Sequence, residues 1–235
     1  MGQEVIMIIP QENPWRETVR ETQGPQNRHQ IMVLKHGRLV YLRTLKCAST
    51  FFFHNFQAWG WQPINFYEID WANDHVFSHL MDPIERRHKG IAEWIGMQGD
   101  IDKFYHDTSY RKIVAYVPAL DMHSVAMTDI YGRFVNMIDW IPMTDFSQSA
   151  VIDFTNRLLW DHGIQAQSLW DYGSTHASDP AMKKLQQDVA SLYKETQLKD
   201  IIAWYFHQDI LLHNQVISRF DHRQIHWADM SWLRR

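Results

Sequence analysis

The chain has little cysteine, no long apolar run and no excess of basic charge, and each shortage excludes a class of protein. One cysteine among 235 residues excludes an internal disulfide framework. The formal net charge is −4, so there is no global basic field for DNA or RNA, and only local basic sites can bind anions. No apolar run approaches a membrane span, and the first residues fit neither a secretion signal nor a myristoylation site. These absences predict a soluble, cytoplasmic protein without nucleic-acid or membrane partners.

The Gly-rich loop that ends in Gly-Lys-Ser or Gly-Lys-Thr is also absent, which disfavours an ordinary ATP or GTP site and hence a nucleotide kinase. A different anion-binding pattern is present at residues 39–51. An apolar run at 39–42 predicts a strand, Lys46 and small residues follow, and an aromatic run from Phe51 predicts a helix. A strand, a tight loop and a helix N-terminus together direct free backbone N–H groups and the helix dipole at an anion.

A second segment has a similar pattern. Residues 75–80 predict another short strand, and Pro83 suits the first turn of a helix, where its missing N–H costs nothing. On that helix Arg86 and Lys89 are three residues apart and share a face. Two parallel strands would therefore deliver two cationic sites to one edge of a sheet, which is where α/β folds bind ligands.

Together these segments resemble the sulfotransferase superfamily, over roughly residues 38–95. Residues 46–51, Lys-Cys-Ala-Ser-Thr-Phe, are similar to the family loop that holds the 5′-phosphosulfate of 3′-phosphoadenosine-5′-phosphosulfate (PAPS). Residues 82–86, Asp-Pro-Ile-Glu-Arg, match the middle of the Arg-Asp-Pro-x-x-Arg-x-x-Ser signature that grips the 3′-phosphate. Two positions depart from that signature: Met81 stands in place of its first arginine and Lys89 in place of its serine. Residues 121–124 and 204–213 are similar to short sulfotransferase-like chains, including those of phages of marine cyanobacteria.

The length fits a single domain over 1–235, and the polar segment that contains Pro14, Gly24 and Pro25 predicts a loosely packed arm within residues 1–30. The resemblance implies an α/β fold like that of P-loop proteins, with a small, mostly parallel sheet flanked by helices and a helical C-terminal half. The activity implied is transfer of a sulfuryl group from PAPS to a hydroxyl of a small molecule or glycan, leaving 3′-phosphoadenosine-5′-phosphate (PAP). The cofactor-binding residues implied are Lys46, Cys47, Ala48, Ser49, Thr50, Phe51, Arg86 and Lys89. Lys46 would also neutralise charge on the leaving oxygen.

A hydroxyl acceptor benefits from a general base, and related carbohydrate sulfotransferases place a Glu or His between the two signature segments. Glu68 is the first choice here and Asp70 the second, because two residues apart on the predicted strand 63–70 they share a face. His54 is a weaker candidate, and His123 is either a structural histidine with satisfied hydrogen bonds, which is the favoured interpretation, or a residue that orients the substrate. Arg87 is predicted to lie at the surface or to pair in a salt bridge, because consecutive helical residues cannot both point at one ligand.

Histidines spaced i, i+4 raise the question of a metal. His75 and His79 lie in a predicted strand, where that spacing does not place two ligands together, and His222 and His226 lack the neighbouring Glu of the zinc proteases. The prediction is therefore no metal.

The rest of the chain predicts a hairpin over 31–44 and helices over 50–59, 83–95, 100–117, 147–162, 178–193 and 199–216, with a strand within 134–143. A second function stays open. Met81 and Lys89 also fit a catalytically decayed module that binds a nucleotide or a sulfated ligand on the same fold.

Overall fold

The computed structural model describes residues 31–144, 147–165, 179–195 and 199–220. Their architecture is α/β: a five-stranded sheet lies among helices. The predicted N-terminal arm, the tail after 220 and the His222/His226 pair lie outside the described residues. Within the described ranges, no helix is both long and apolar enough to cross a membrane.

The sheet has the strand order β3-β1-β2-β4-β5. β1 pairs antiparallel with β2 and with β3, while β2 pairs parallel with β4 and β4 with β5. The sheet is therefore mixed, and the prediction of a mostly parallel sheet was wrong because the hairpin and β3 add two antiparallel pairings. The strands are β1 Val33–His36, β2 Leu39–Leu42, β3 Gln62–Ile64, β4 His75–Leu80 and β5 Ile138–Pro142.

Helices account for the described chain beyond β5 and for most of the connections before it. They are α1 Ser49–Ala58, α2 Pro83–Gln98, α3 Ile101–His106, α4 Thr108–Tyr116, α5 Met127–Tyr131, α6 Gln148–Asp161, α7 Pro180–Glu195, α8 Lys199–Tyr205 and α9 His207–Phe220. Phe66–Glu68 and Gly132–Met137 form 3₁₀ helices. The predicted helices over 50–59, 83–95 and 147–162 are confirmed within a few residues.

Two predicted helices are each divided in two. The 100–117 helix breaks at Asp107, whose carboxylate accepts the backbone N–H groups of Ser109 (2.8 Å) and Tyr110 (3.1 Å) and so caps α4. The 199–216 helix is interrupted at Phe206, between α8 and α9. Asp179 accepts the N–H of Ala181 at 2.8 Å at the start of α7, as its predicted capping role requires.

The main core packs the sheet against α1, α5, α6 and α9, and a second cluster joins α2, α4 and α7. β4 is buried from Val76 to Leu80 because it lies inside the sheet between β2 and β5. The carboxyl ends of β2 and β4 are thus fixed side by side, and both following loops emerge at one edge of the sheet. The predicted convergence of the two cationic segments rests on this pairing.

Candidate functional site

The loop between β2 and α1 is anchored to the sheet by three hydroxyl groups. Ser78 on β4 donates to the carbonyl of Leu42 at 2.7 Å, so it must accept from Thr44, whose Oγ1 lies 2.7 Å away. Tyr131 then donates to Thr44 at 2.8 Å. All three side chains are buried. The start of the loop is therefore tied to β4 through Ser78 and to α5 through Tyr131.

The loop backbone is left-handed at two residues that are not glycine. Lys46 has φ 69° and Ala48 has φ 47°. L-residues with side chains adopt this conformation at a cost, and it is found mostly where function requires it. Ala48 supplies no capping side chain to α1, and the first turn contains no carboxylate. The N-terminus of α1 is therefore open to an external anion.

Lys46 is partly buried beside acidic groups from two other segments. Its Nζ forms an ion pair with Oε2 of Glu93 on α2. Burial lowers the pKa of Lys46 to about 8, while the neighbouring Asp121 acts in the opposite direction. Lys46 is therefore positively charged at neutral pH, and its acidic neighbours offset only part of the cost of burying that charge.

His123 joins the same cluster. Asp121 Oδ2 lies 2.7 Å from His123 Nδ1, and Asp121 Oδ1 accepts the backbone N–H of His123 at 3.0 Å. On the other side of the ring, Nε2 lies 3.9 Å from Glu93 Oε1. Asp121 fixes the orientation of the imidazole, and Nε2 faces the side of the cluster where Lys46 lies. Such a carboxylate-held imidazole can accept a proton from a hydroxyl group.

Cys47, in the loop after β2, lies next to the segment that begins α2, where Lys89 also lies. The Cys47 thiol is buried, and burial raises its pKa to about 11 although Arg86 and the backbone N–H of Met81 act in the opposite direction. A thiol in that state is not a nucleophile, so Cys47 fills space. Lys89 pairs with Glu85 at 2.7 Å and lies 3.6 Å from the sulfur of Met81. Its ammonium group is therefore held between the first turn of α2 and the side chain of Met81.

The N-terminus of α2 is closed, in contrast to that of α1. The carboxylate of Asp82 accepts the backbone N–H groups of Ile84 at 2.9 Å and Glu85 at 2.8 Å. Its own N–H donates to Thr144 at 2.6 Å. The side chain thus supplies the negative charge that an external anion would bring.

The two arginines of α2 face inward. Arg86 is completely buried and donates to the backbone carbonyls of His123, at 3.3 Å, and Val125, while its Nε has no partner among the described residues. Arg87 donates to the carbonyls of Pro118 and Val117, both at 2.8 Å. The predicted surface position of Arg87 was wrong. Together the arginines brace the segment 117–125, so Arg86 positions His123 rather than facing an external ligand.

Glu68 and Asp70 do not share a strand face, because β3 ends at Ile64 and the chain turns into a 3₁₀ helix. Glu68 accepts the N–H of Asn65 at 2.5 Å, and Asn65 accepts that of Tyr67 at 3.0 Å, which is a capping box. Asp70 bonds the N–H of Ala72 and the amide of Asn73. Each carboxylate stabilises its own turn, and the structure shows neither in contact with Lys46.

The other histidines considered also lie apart from the cluster. His75 Nε2 is 2.6 Å from Asp139 Oδ2 at the opposite end of β4. His79 is buried and stacks on Phe52 at 3.8 Å, and burial lowers its pKa to about 3. His54 on α1 is exposed. Among the described residues, no group of three or more His, Cys, Asp or Glu side chains is arranged to hold a metal ion.

The structure adds three charged residues to the site that the sequence did not single out. Glu93 lies one helical turn after Lys89, a spacing that was available as a signal. Asp121 lies in the segment that supplied His123. Arg43, three residues before Lys46, donates to Thr50 on α1 at 3.3 Å and to the sulfur of Met32 at 2.6 Å.

A small cleft of about 90 Å³ lies beside the loop between β2 and α1. Two of its lining residues are sequence neighbours of the cluster, because Leu45 precedes Lys46 and Met122 separates Asp121 from His123. The lining is largely apolar: Ile31, Met32, Arg43, Thr44, Leu45, Met122, Ile130 and Tyr131. The cleft is therefore a depression next to the Lys46 loop into which a small part of a second reactant would fit.

Comparisons with family models, with curated proteins and with solved structures found no match for this chain.

Proposed function

We propose that this chain is a sulfotransferase that moves a sulfuryl group from PAPS to a hydroxyl acceptor. The observation that carries the proposal is that Lys46, at the open N-terminus of α1, and the carboxylate-held His123 lie on the two oxygens of the same carboxylate, that of Glu93. One group offers positive charge and free N–H donors to an anion, and the other offers a base to a hydroxyl. Sulfuryl transfer requires both.

The donor supplies an electrophilic sulfur with an anhydride leaving group. The backbone N–H groups at the start of α1 would hold its 5′-phosphate, and Lys46 would face the oxygens on which charge grows. His123, oriented by Asp121, would take the acceptor proton at Nε2. The acceptor would lie in the adjoining cleft, which positions its oxygen for attack. His123 therefore replaces Glu68 and Asp70 as the candidate base.

The fit to the two ends of the donor is unequal. The 5′-phosphosulfate has an open helix terminus and Lys46. For the 3′-phosphate, Arg86 already donates to backbone carbonyls and Met81 brings no charge, so Lys89 is the remaining candidate. This imbalance favours the second candidate function, a module that binds a nucleotide or a sulfated ligand without transferring the group.

Calorimetric titration with PAP, followed by a transfer assay with labelled donor and a panel of alcohols and glycans, tests both candidates. We expect PAP to bind, and Lys46→Ala to weaken binding strongly while leaving the melting temperature within a few degrees. Lys103→Ala is the matched control, because Lys103 is half exposed on α3. Binding without transfer would favour the module, and no binding of PAP at millimolar concentration would reject the nucleotide assignment.

A further inference from the structure

Glu93 is an acidic group inside a site that otherwise suits anions. It lies on the third turn of α2, in one stripe with Glu85 and Lys89, and its side chain is 17% exposed. Its Oε2 is buried and, apart from the ion pair with Lys46, has no partner among the described residues. The ion pair with Lys46 is therefore the interaction that compensates this oxygen.

The two partners depend on each other in the absence of a ligand. A carboxylate that is removed from water without a cation is strongly destabilised, and so is a buried ammonium group without an anion. An anion at the N-terminus of α1 would be a second negative charge competing for Lys46. It would also lie within a few ångströms of Glu93, where the repulsion between like charges is large.

The other acidic residue of the cluster cannot act in the same way. Asp121 is engaged by the ring and backbone N–H of His123, and its Oδ1 also lies 3.4 Å from the hydroxyl of Ser124. Those bonds persist whether or not Lys46 moves. Glu93 is thus the group whose main partner an incoming anion would take.

We propose that Glu93 is an internal competitor for Lys46: it holds the lysine in the ligand-free protein and is displaced by an oxyanion such as sulfate or the phosphosulfate end of a nucleotide. Glu93 then lowers the affinity of the Lys46 loop for every anion and selects for ligands that bring further contacts. The inference rests on the proposed function only in placing an anion at this loop. In this role Glu93 is a positioning and specificity residue.

The experiment is a calorimetric titration of the full chain with inorganic sulfate and, separately, with PAP, comparing wild type with Glu93→Gln and Glu85→Gln. Glu93→Gln keeps the shape and removes the charge, so the dissociation constant for sulfate should fall by about tenfold. Glu85→Gln removes the same charge from the same helix face, but Glu85 is 46% exposed and pairs with Lys89, so the change should stay below about threefold. An unchanged or weaker affinity in Glu93→Gln would overturn the proposal.

Two further readouts keep the inference separate from the enzyme assignment. Glu93→Asp retains the charge but shortens the side chain, which weakens the ion pair with Lys46. The variant should therefore also bind sulfate more tightly than wild type, and it decides the question if Glu93→Gln does not fold. Tighter sulfate binding with no binding of PAP would reject the nucleotide assignment and retain the role of Glu93. If neither the wild type nor any of the three variants binds sulfate, the proposed role of Glu93 fails as well.

Discussion

Replacing Gly90 by alanine tests how closely α2 and the 121–125 segment are packed. A Cβ atom at Gly90 would lie 2.2 Å from the carbonyl oxygen of His123, 2.5 Å from its carbonyl carbon and 2.8 Å from the nitrogen of Ser124. These are backbone atoms, so no rotation of a side chain can relieve the contact. The segment would have to move away from the helix by about 1 Å to restore ordinary contact distances.

That movement is resisted by buried bonds. Arg86 donates to the carbonyls of His123 and Val125, and the Ser124 hydroxyl accepts the N–H groups of Leu120 at 2.8 Å and Asp121 at 3.1 Å. Overpacking costs about 1–3 kcal/mol, and each weakened buried hydrogen bond adds about 1 kcal/mol. Alanine regains about 1 kcal/mol through its higher helix propensity. We therefore expect Gly90→Ala to lower the free energy of unfolding by about 2–3 kcal/mol.

Gly96 is the matched control on the same helix. A Cβ atom there would meet the sulfur of Met182 at 3.1 Å and its methyl carbon at 3.4 Å, and both belong to a flexible side chain that can move. Gly96→Ala should therefore be neutral or stabilising by up to about 1 kcal/mol. Urea titration gives both values, and the melting temperature of Gly90→Ala should fall by about 5–10 °C. Equal stability of the two variants would refute the close packing at His123.

Three further predictions concern charge. Because the pKa of Lys46 is lowered to about 8, sulfate affinity in the wild type should decline as pH rises from 8 to 9, and Lys46→Arg, which stays charged, should flatten this decline. Burial lowers the pKa of His79 to about 3, so the unfolded chain binds a proton at this residue more readily than the folded protein does. The free energy of unfolding should therefore decrease as pH falls below about 6.5, by about 2 kcal/mol at pH 5. His79→Phe should reduce that loss. Asp82→Ala removes the cap of α2 and should cost about 1 kcal/mol of stability without changing sulfate affinity.

Each of these predictions has a contrary result that is easily measured. A pH profile for sulfate that is the same in wild type and Lys46→Arg would show that Lys46 does not carry the charge. An identical loss of stability between pH 7 and pH 5 in wild type and His79→Phe, measured by urea titration, would show that His79 is not the group protonated on unfolding. Tighter sulfate binding in Asp82→Ala would place the anion at α2 instead of α1, because the variant frees the N–H groups that the carboxylate caps.

Much of the sheet edge could be predicted from local signals. The run at 39–42, the small residues after Lys46 and the Asp-Pro pair at 82–83 each specify a strand end, a loop or a helix start by themselves, and the strand 75–80 and both following helices are confirmed. The end of β3 was missed because apolar alternation and a capping box compete in the same residues. The bonds of Asn65 and Glu68 favour the 3₁₀ turn over continuation of the strand.

The partners of the charged side chains could not be predicted, because they come from distant parts of the chain. Arg86 donates to backbone carbonyls in a segment nearly 40 residues later in the chain. Lys46 pairs with Glu93 on α2, the helix that follows the neighbouring strand β4. Local sequence specifies that a helix forms but leaves open which neighbour each of its faces meets. Asp121 and His123 illustrate the same limit, since their separation of two residues is visible but their approach to Lys46 depends on the packing of Gly90.

The two helices that leave adjacent parallel strands have opposite electrostatic roles at this edge. α1 begins without a capping side chain or an acidic first turn, whereas α2 begins with the carboxylate of Asp82 on its free N–H groups. Favourable potential for an anion is therefore concentrated at α1, and α2 contributes through its side, where Lys89 and Glu93 lie. Since Lys89 attracts an anion and Glu93, which pairs with Lys46, repels it, the contribution of this side of α2 to anion binding depends on whether Glu93 moves away from Lys46.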